Sequence, residues 1–287
     1  MARPLRIQLP GLSYHVHARG NGRMDIYLDD CDRRRFLALV ADVIPAFNID
    51  CHAFCLMTNH YHLVVTTREA NLSRAIHDLN GRYGQWWNRR HGRVGHVFQG
   101  RFGAKVVQAE VYLLTVCKYA VANPVRKQLV ESAAEWPWSS YRASAGLEPV
   151  PPFLRPQALW RMLADGNFDA GTLAYRKFIA GPDDDAERLL HLPVIGDPEF
   201  VRRFEGLRRR ASREVPRRER QVRPALECLF ADAITRVDRS ARTVTAHSAG
   251  YSMREIASYL GLHRTTVVKW ITAAHRGQVC AERPLET

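Results

Sequence analysis

Two separated groups of side chains have types and spacing that could do chemistry. His60 and His62 flank Tyr61 at the start of an apolar stretch, and a strand period of two places both imidazoles on one face. Two imidazoles on a rigid strand can share one divalent cation, because histidine is a common metal ligand. The same spacing recurs in His15-Val16-His17. Spacing alone therefore leaves open whether either pair binds metal or only lies on a polar strand face.

The second group is a tyrosine and an amide one helical turn apart. Tyr119 and Asn123 are separated by four residues in a helical stretch, so their side chains project from one face. A phenol beside a metal-bound phosphate can act as a nucleophile. Tyr112 shares roughly that face, but it lies about 16 Å from Asn123 along the helix axis, too far to share a metal with it. A tyrosine that packs in the core with its hydroxyl hydrogen-bonded is the alternative for Tyr119.

The elements that must position these residues alternate between strand and helix signals. Period-two segments predict strands, and apolar positions three and four apart predict helices. The predicted order is strand 14–19, helix 32–47, strands 49–56 and 60–66 as a hairpin, helix 71–90, strand 97–107 and helix 110–122. This order predicts an α+β fold with a ferredoxin-like antiparallel sheet and helices packed on one face.

Proline-rich segments and the distribution of charge divide the chain into further regions. We expect a catalytic-type domain at 1–148, a linker or helical region at 149–223, and an all-α region at 224–287. The linker carries ten arginines and three acidic residues between Arg202 and Arg223. It is interpreted either as a solvated helix or tether, or as a basic segment that contacts DNA phosphates.

The last region contains a helix-turn-helix pattern between Met253 and Trp270. Gly261 stands where the tight turn requires a residue without a Cβ. Apolar residues occupy the positions that such a unit buries, and an ordinary helical hairpin is the alternative. The second helix would present its polar side chains to duplex DNA, namely Arg264, Thr265, Thr266 and Lys269.

Composition agrees with a nucleic-acid partner. The chain has 287 residues and a formal net charge of +13, with 46% hydrophobic and 25% charged residues. These values exclude wholesale disorder, and a pI near 9.9 indicates a polyanionic partner. No apolar run is long enough to span a membrane and no apolar signal core is present, so we expect neither a membrane nor a secreted protein. The six scattered cysteines suggest reduced thiols in the cytoplasm.

Several residues of the first 148 are candidates for DNA contact. Aromatic and cationic residues alternate at the end of the second helix, where Arg82 and Trp86 could stack on unpaired bases. Arg101, Lys105 and Arg126 could contact backbone phosphates. Core packing of the tryptophan and solvation of the cations are the alternatives for these positions.

The motifs together resemble a known family. Met57-Thr58-Asn59-His60-Tyr61-His62-Leu63-Val64 and Lys118-Tyr119-Ala120-Val121-Ala122-Asn123-Pro124-Val125 resemble the IS200-like single-tyrosine (Y1) HUH transposases, in particular their REP-associated (RAYT) branch. The opening Pro4-Leu5-Arg6-Ile7, the stretch Tyr14-His15-Val16 and the stretch Trp136-Pro137-Trp138-Ser139-Ser140-Tyr141 are similar to that branch. The resemblance covers roughly residues 4–145.

The resemblance implies a role for each matching residue. His60 and His62 would bind Mg²⁺ or Mn²⁺, Asn123 would complete the metal site where IS200-like enzymes commonly have Gln, and Tyr119 would be the nucleophile. His15-Val16-His17 matches the first strand of the family and is interpreted as structural or DNA-facing.

The implied reaction is cleavage of hairpin-bearing, REP- or BIME-type single-stranded DNA through a 5′-phosphotyrosine. The resemblance also implies a bacterial, nucleoid-associated protein, with a monomer favoured over a dimer. Two alternatives remain: a catalytically idle DNA-binding regulator that uses the helix-turn-helix, and a metal-dependent phosphodiesterase that uses water instead of Tyr119.

Overall fold

A five-stranded sheet forms the centre of the structure. The computed structural model describes residues 6–164, 167–182, 189, 191–204, 225–231, 233, 235–249, 251 and 253–281. The strands are β1 (Ser13–Arg19), β2 (Ile49–Leu56), β3 (His60–Thr67), β4 (Gly103–Val107) and β5 (Val194–Ile195), in the spatial order β2-β3-β1-β4-β5. The first four pair antiparallel, whereas β5 runs parallel to β4. The predicted α+β class, the antiparallel core and the hairpin of β2 and β3 are therefore confirmed.

The fourth strand is shorter than predicted. Residues 97–102 lie outside it, and only Phe98 makes an isolated bridge, to Gly20. Gly95 and Gly100 have φ angles of 97° and 64°, in the left-handed region that interrupts an extended strand. The chain therefore enters the sheet only at Gly103.

Helices cover both faces of this sheet, not one face as predicted. Helices α1 (Asp30–Ala46) and α2 (Leu72–His91) pack on the face formed by Tyr14, Val16, Tyr61 and Leu63. Helix α3 (Ala109–Val121) packs on the opposite face, against Ala53 and Val64. The strands β2 and β3 are almost wholly buried, and a strand buried on both sides needs a cover on each face.

Residues after 148 continue the same packed unit. Helices α4 (Asn123–Arg126) and α5 (Tyr141–Ser144) are followed by α6 (Gln157–Ala164) and α7 (Phe168–Ala180), whose Trp160 and Tyr175 share a buried cluster with α3. Leu154 bridges Cys51, and β5 extends the sheet. The expected boundary at 148 thus does not interrupt the packing.

The C-terminal region forms a separate apolar cluster. Helices α8 (Leu226–Phe230), α9 (Arg236–Ser248), α10 (Met253–Leu260) and α11 (Arg264–Ala281) surround buried Ile256, Ala257 and Val267. Gly261 has a φ of 64° between α10 and α11, as a tight turn requires. Most of the arginine-rich stretch, residues 205–223, lies outside the described residues. In the described part of the chain, no helix is both long and apolar enough to cross a membrane.

Candidate active site

Two neighbouring strands place four imidazoles on the sheet face that α3 covers. His60 and His62 lie on β3 with ring centroids 4.9 Å apart, as the strand period predicts. The first strand pairs antiparallel with β3, so that His17 is the cross-strand partner of His62. His15 follows on the same face, with its ring centroid 5.0 Å from that of His62. The motif His15-Val16-His17 therefore joins the site.

Helix α3 brings the tyrosine and the amide to this face. Apolar residues at helical spacing bury the helix against the sheet, among them Leu113, Val116 and Ala120. The ring of Tyr119 stands perpendicular to that of His62, with centroids 5.8 Å apart. Asn123 is buried and directs its Nδ2 to within 3.3 Å of His62 Nε2. The structure thus brings together the four residues named from the sequence.

Tyr119 and Asn123 lie on the two sides of a short break in the helix. Pro124, the residue after the amide, causes this break, which does not move the two side chains apart. Pro124 has no N–H and its ring clashes with a preceding helical carbonyl, so α3 ends at Val121 and α4 begins at Asn123. The backbone N–H of Ala122 still bonds to Lys118 O at 2.9 Å, and that of Arg126 bonds to Ala122 O at 3.0 Å. The helical course is therefore kept, and the one-turn spacing survives.

Hydrogen bonds orient both histidines of β3. Asn59 Oδ1 lies 2.7 Å from His60 Nδ1, and His15 Nε2 lies 2.8 Å from His62 Nδ1. Burial lowers the pKa of His60 to about 4 and holds that of His62 well below its usual value, and the neighbouring cations and imidazoles add to both effects. Both rings are therefore neutral at pH 7, as metal binding requires.

The donor set fits a divalent cation. Each of the two histidines uses Nδ1 for a protein hydrogen bond, which is the usual arrangement of a metal-binding histidine. On the other side of the His62 ring, Nε2 lies 3.3 Å from Asn123 Nδ2, a contact that a bound cation would replace. Asn123 Oδ1 is buried without a hydrogen-bond partner, and a cation would satisfy such an oxygen. Within the described ranges, no group of three or more His, Cys, Asp or Glu side chains is placed to hold a metal. Two imidazoles and one amide oxygen remain as the candidate ligands.

Cationic side chains surround this face. Lys105 is the cross-strand partner of His15 and is partly buried, so desolvation lowers its pKa. Arg126 stacks its guanidinium 4.4 Å from the centroid of the Tyr119 ring and donates to Tyr119 O at 2.7 Å. Arg19 and Lys127 are exposed, and their charges help to lower the pKa of His60. Sequence reasoning named Lys105 and Arg126 but missed the other two, because only the pairing of β1 with β3 brings Arg19 beside His60.

The two residues predicted to stack on unpaired bases do not lie on this face of the sheet. Arg82 and Trp86 are on α2, which packs on the opposite face of the sheet from Tyr119. Arg82 forms ion pairs with Asp42 at 2.7 Å and Asp78 at 3.5 Å. Trp86 is partly buried, with the guanidinium of Arg90 5.5 Å from its ring. The structure does not bring these two residues to the tyrosine.

Two neighbouring grooves connect α2 to the histidine face. One has a volume of about 770 Å³ and lies between α2 and residues 95–102; the other, of about 560 Å³, is lined by His17 and Arg19. Arg6, Arg101 and Phe102 line both. The predicted phosphate contact Arg101 therefore stands between the two grooves.

The four polar residues predicted to contact duplex DNA lie in the first two turns of α11. Arg264, Thr265 and Lys269 are exposed, and Thr266 is half-buried. His263 Nδ1 lies 2.8 Å from Thr265 Oγ1 at the start of the helix. The start of this helix therefore presents one polar face to solvent, whereas Val267 on the other face is buried.

One family of known proteins matches part of this chain. Residues 8–123 match the family described as "Transposase IS200 like". No curated protein sequence gives a significant match. Among solved structures, a REP-associated tyrosine transposase bound to a REP hairpin aligns with 17% identity and a TM-score of 0.45, over 52% of this chain and 89% of that one. The tRNA(His) guanylyltransferase of Saccharomyces cerevisiae aligns with 11% identity and a TM-score of 0.31, over 66% and 80%. At these values neither structure assigns a function.

Proposed function

We propose, from the premise that residues 8–123 form an IS200-like transposase domain, that this chain cuts and rejoins single-stranded DNA with Tyr119 as nucleophile. The observation that carries the proposal is the placement of a phenol, an amide and two neutral imidazoles on one sheet face. The Tyr119 ring packs on His62, and Asn123 bonds to the same imidazole. A core tyrosine would have no need of these neighbours.

The reaction is a transesterification. The phenol oxygen of Tyr119 attacks a DNA phosphorus and forms a 5′-phosphotyrosine, while the bond from phosphorus to the 3′ oxygen breaks. The phenol proton is given up and the departing 3′ oxygen gains one, so a free 3′-OH results. A 3′-OH reverses the step by attacking the phosphotyrosine, which releases Tyr119. One phosphodiester bond is exchanged for another, so the reaction needs no ATP.

The chain's own residues supply position and charge. The packing of α3 on the sheet fixes the Tyr119 ring, and Arg126 stacks on its face. Lys105 and Arg19 stand where a phosphate approaching the histidine face would meet positive charge. A Mg²⁺ or Mn²⁺ ion held by His60, His62 and Asn123 would neutralise phosphate charge when bound.

The substrate we propose is single-stranded DNA with a hairpin, of the REP type. An unpaired strand could follow the two grooves, because Arg6 and Arg101 line both of them and would meet its phosphates. Arg6 stands 3.5 Å from the centroid of the Phe102 ring. The strand would then run from α2 toward His17.

Binding of duplex DNA by α11 is a second candidate function. Its exposed Arg264, Thr265 and Lys269 follow a tight turn at Gly261, which is the arrangement of a recognition helix. In a chain that acts only as a regulator, this helix would carry the whole function, and Tyr119 would be dispensable.

The test uses single-stranded hairpin oligonucleotides labelled at the 3′ end, incubated with the full chain and Mn²⁺ or Mg²⁺. A labelled protein adduct on a denaturing gel, lost with chelator and in Tyr119→Phe, is the expected result. Tyr112→Phe is the matched control, because Tyr112 lies on the same helix and is also half-buried; it should keep the adduct.

Other outcomes separate the alternatives. Cleavage that persists in Tyr119→Phe would show that water, not the tyrosine, attacks the phosphate. Tight DNA binding with neither adduct nor cleavage under both metals would favour the regulator.

A further inference from the structure

His15 is a buried imidazole that contacts both His62 and the ring of Tyr119, whose centroid lies 5.9 Å from its own. It is 3% exposed on β1, and its ring stacks on that of His62 with an interplanar angle of 12°. His15 Nε2 and His62 Nδ1 are 2.8 Å apart. A hydrogen bond between two neutral imidazoles requires that one ring nitrogen donates and the other accepts.

The amide on the other side of His62 fixes the direction of that bond. Asn123 Nδ2 can only donate, and it lies 3.3 Å from His62 Nε2, so His62 Nε2 accepts. The ring proton of His62 is then on Nδ1 and is donated to His15 Nε2. In this arrangement Asn123 Oδ1 is buried with no hydrogen-bond partner. A reversed amide would give the opposite tautomer of His62, so the direction is open to measurement.

His60 provides an independent parallel. Asn59 Oδ1 lies 2.7 Å from His60 Nδ1, and an amide oxygen can only accept. The proton of His60 is therefore also on Nδ1, and its Nε2 carries the lone pair. Two different partners, an amide oxygen and an imidazole nitrogen, thus impose the same tautomer on both histidines of β3.

We propose that His15 is a positioning residue, which accepts the Nδ1 proton of His62 and so keeps the His62 Nε2 lone pair directed at the cation site. The proposal rests on the proposed function for its purpose: without metal the lone pair accepts from Asn123 Nδ2, and a bound cation would take the place of that donor. The tautomer itself exists without metal, DNA or catalysis. His15 neither binds the cation nor touches the substrate in this role.

The experiment measures the imidazole tautomers in the metal-free full chain. Two-bond ¹H–¹⁵N correlation spectra of the ¹⁵N-labelled protein distinguish Nδ1–H from Nε2–H rings, and His62→Gln assigns the signal among the 12 histidines. We expect the Nδ1–H tautomer for His62 in the unmodified protein. An Nε2–H tautomer there would overturn the proposal before any His15 variant is made.

Three variants then separate positioning from structure. His15→Leu removes the acceptor of the Nδ1 proton and leaves the Asn123 Nδ2 donor in place. It should therefore raise the population of the Nε2–H tautomer of His62 and weaken Mn²⁺ binding about 10- to 100-fold, measured by electron paramagnetic resonance of free Mn²⁺. His15→Gln should retain both properties, because its Oε1 can accept a proton near the place of the imidazole Nε2. His52→Leu is the matched control: His52 is another buried histidine of this sheet, bonded to Thr66 Oγ1 at 2.8 Å, and it should change neither readout.

The outcomes distinguish this proposal from the proposed function. An unchanged His62 tautomer in a folded His15→Leu protein would refute the positioning role, even where the Tyr119 adduct forms. A failed adduct together with the expected tautomers and Mn²⁺ affinities would refute the strand-transfer reaction and leave the role of His15 intact.

Discussion

Lys118 anchors helix α3 to the end of helix α7. Its side chain is only 5% exposed, and its Nζ donates to the backbone oxygens of Phe178, Gly181 and Pro182, each at 2.8 Å. These carbonyls lie at the end of α7, where a positive charge also complements the helix dipole. Replacement of Lys118 by Met keeps most of the apolar stem and removes the ammonium group.

The expected loss of stability follows from the three bonds. A hydrogen bond from a charged donor contributes about 1.5–3 kcal/mol, and the bonds share one ammonium, so they do not add fully. Gly181 is half-buried and Pro182 is exposed, so in the variant water can hydrogen-bond to their backbone oxygens in place of the ammonium group. We expect Lys118→Met to lower the free energy of unfolding by about 3 kcal/mol. The corresponding fall in Tm is about 6–12 °C.

Urea and thermal unfolding followed by circular dichroism measure this change. Lys177→Met is the matched control: Lys177 lies in the last turn of α7 and is exposed, so its replacement should change stability by less than about 0.5 kcal/mol. A loss below about 1 kcal/mol, or a loss equal to that of Lys177→Met, would refute the reasoning.

Two further predictions concern pH and salt. Burial lowers the pKa of His17 and of His60 to about 4, so between pH 6.5 and 4 the unfolded chain binds protons that the folded chain does not. Stability should therefore fall as the pH drops from 6.5, by about 2 kcal/mol per histidine at pH 5, and urea unfolding at pH 7 and 5 checks this; equal stabilities would contradict it. In α11, Arg264→Gln and Lys269→Gln should each weaken duplex binding and reduce the salt dependence of log K by about one unit, measured by fluorescence anisotropy from 50 to 200 mM salt. An unchanged salt slope would show that neither side chain contacts a phosphate.

The parts of the site that depend on local periodicity can be predicted from the sequence alone. A strand period of two puts His60 and His62 on one face, and one helical turn joins Tyr119 to Asn123. The hairpin of β2 and β3 is also local, because only a short polar link separates the strands. These features need no knowledge of distant contacts, and the structure reproduces each of them.

Which elements contact one another depends on the tertiary structure and could not be read from local patterns. The local pattern of His15-Val16-His17 does not predict that β1 lies between β3 and β4. That position makes His15 a hydrogen-bond partner of His62. The side of the sheet taken by each helix is equally non-local, and it carries Arg82 and Trp86 away from Tyr119.

The pairing of the last strand also depends on residues far apart in the chain. Val194 and Ile195 join β4, although nearly ninety residues separate them from it in the chain. Strand pairing and the choice of sheet face depend on how all the apolar surfaces of the chain are buried together. A short window of sequence therefore sets the spacing of the reactive groups, whereas the burial of the whole core sets their neighbours.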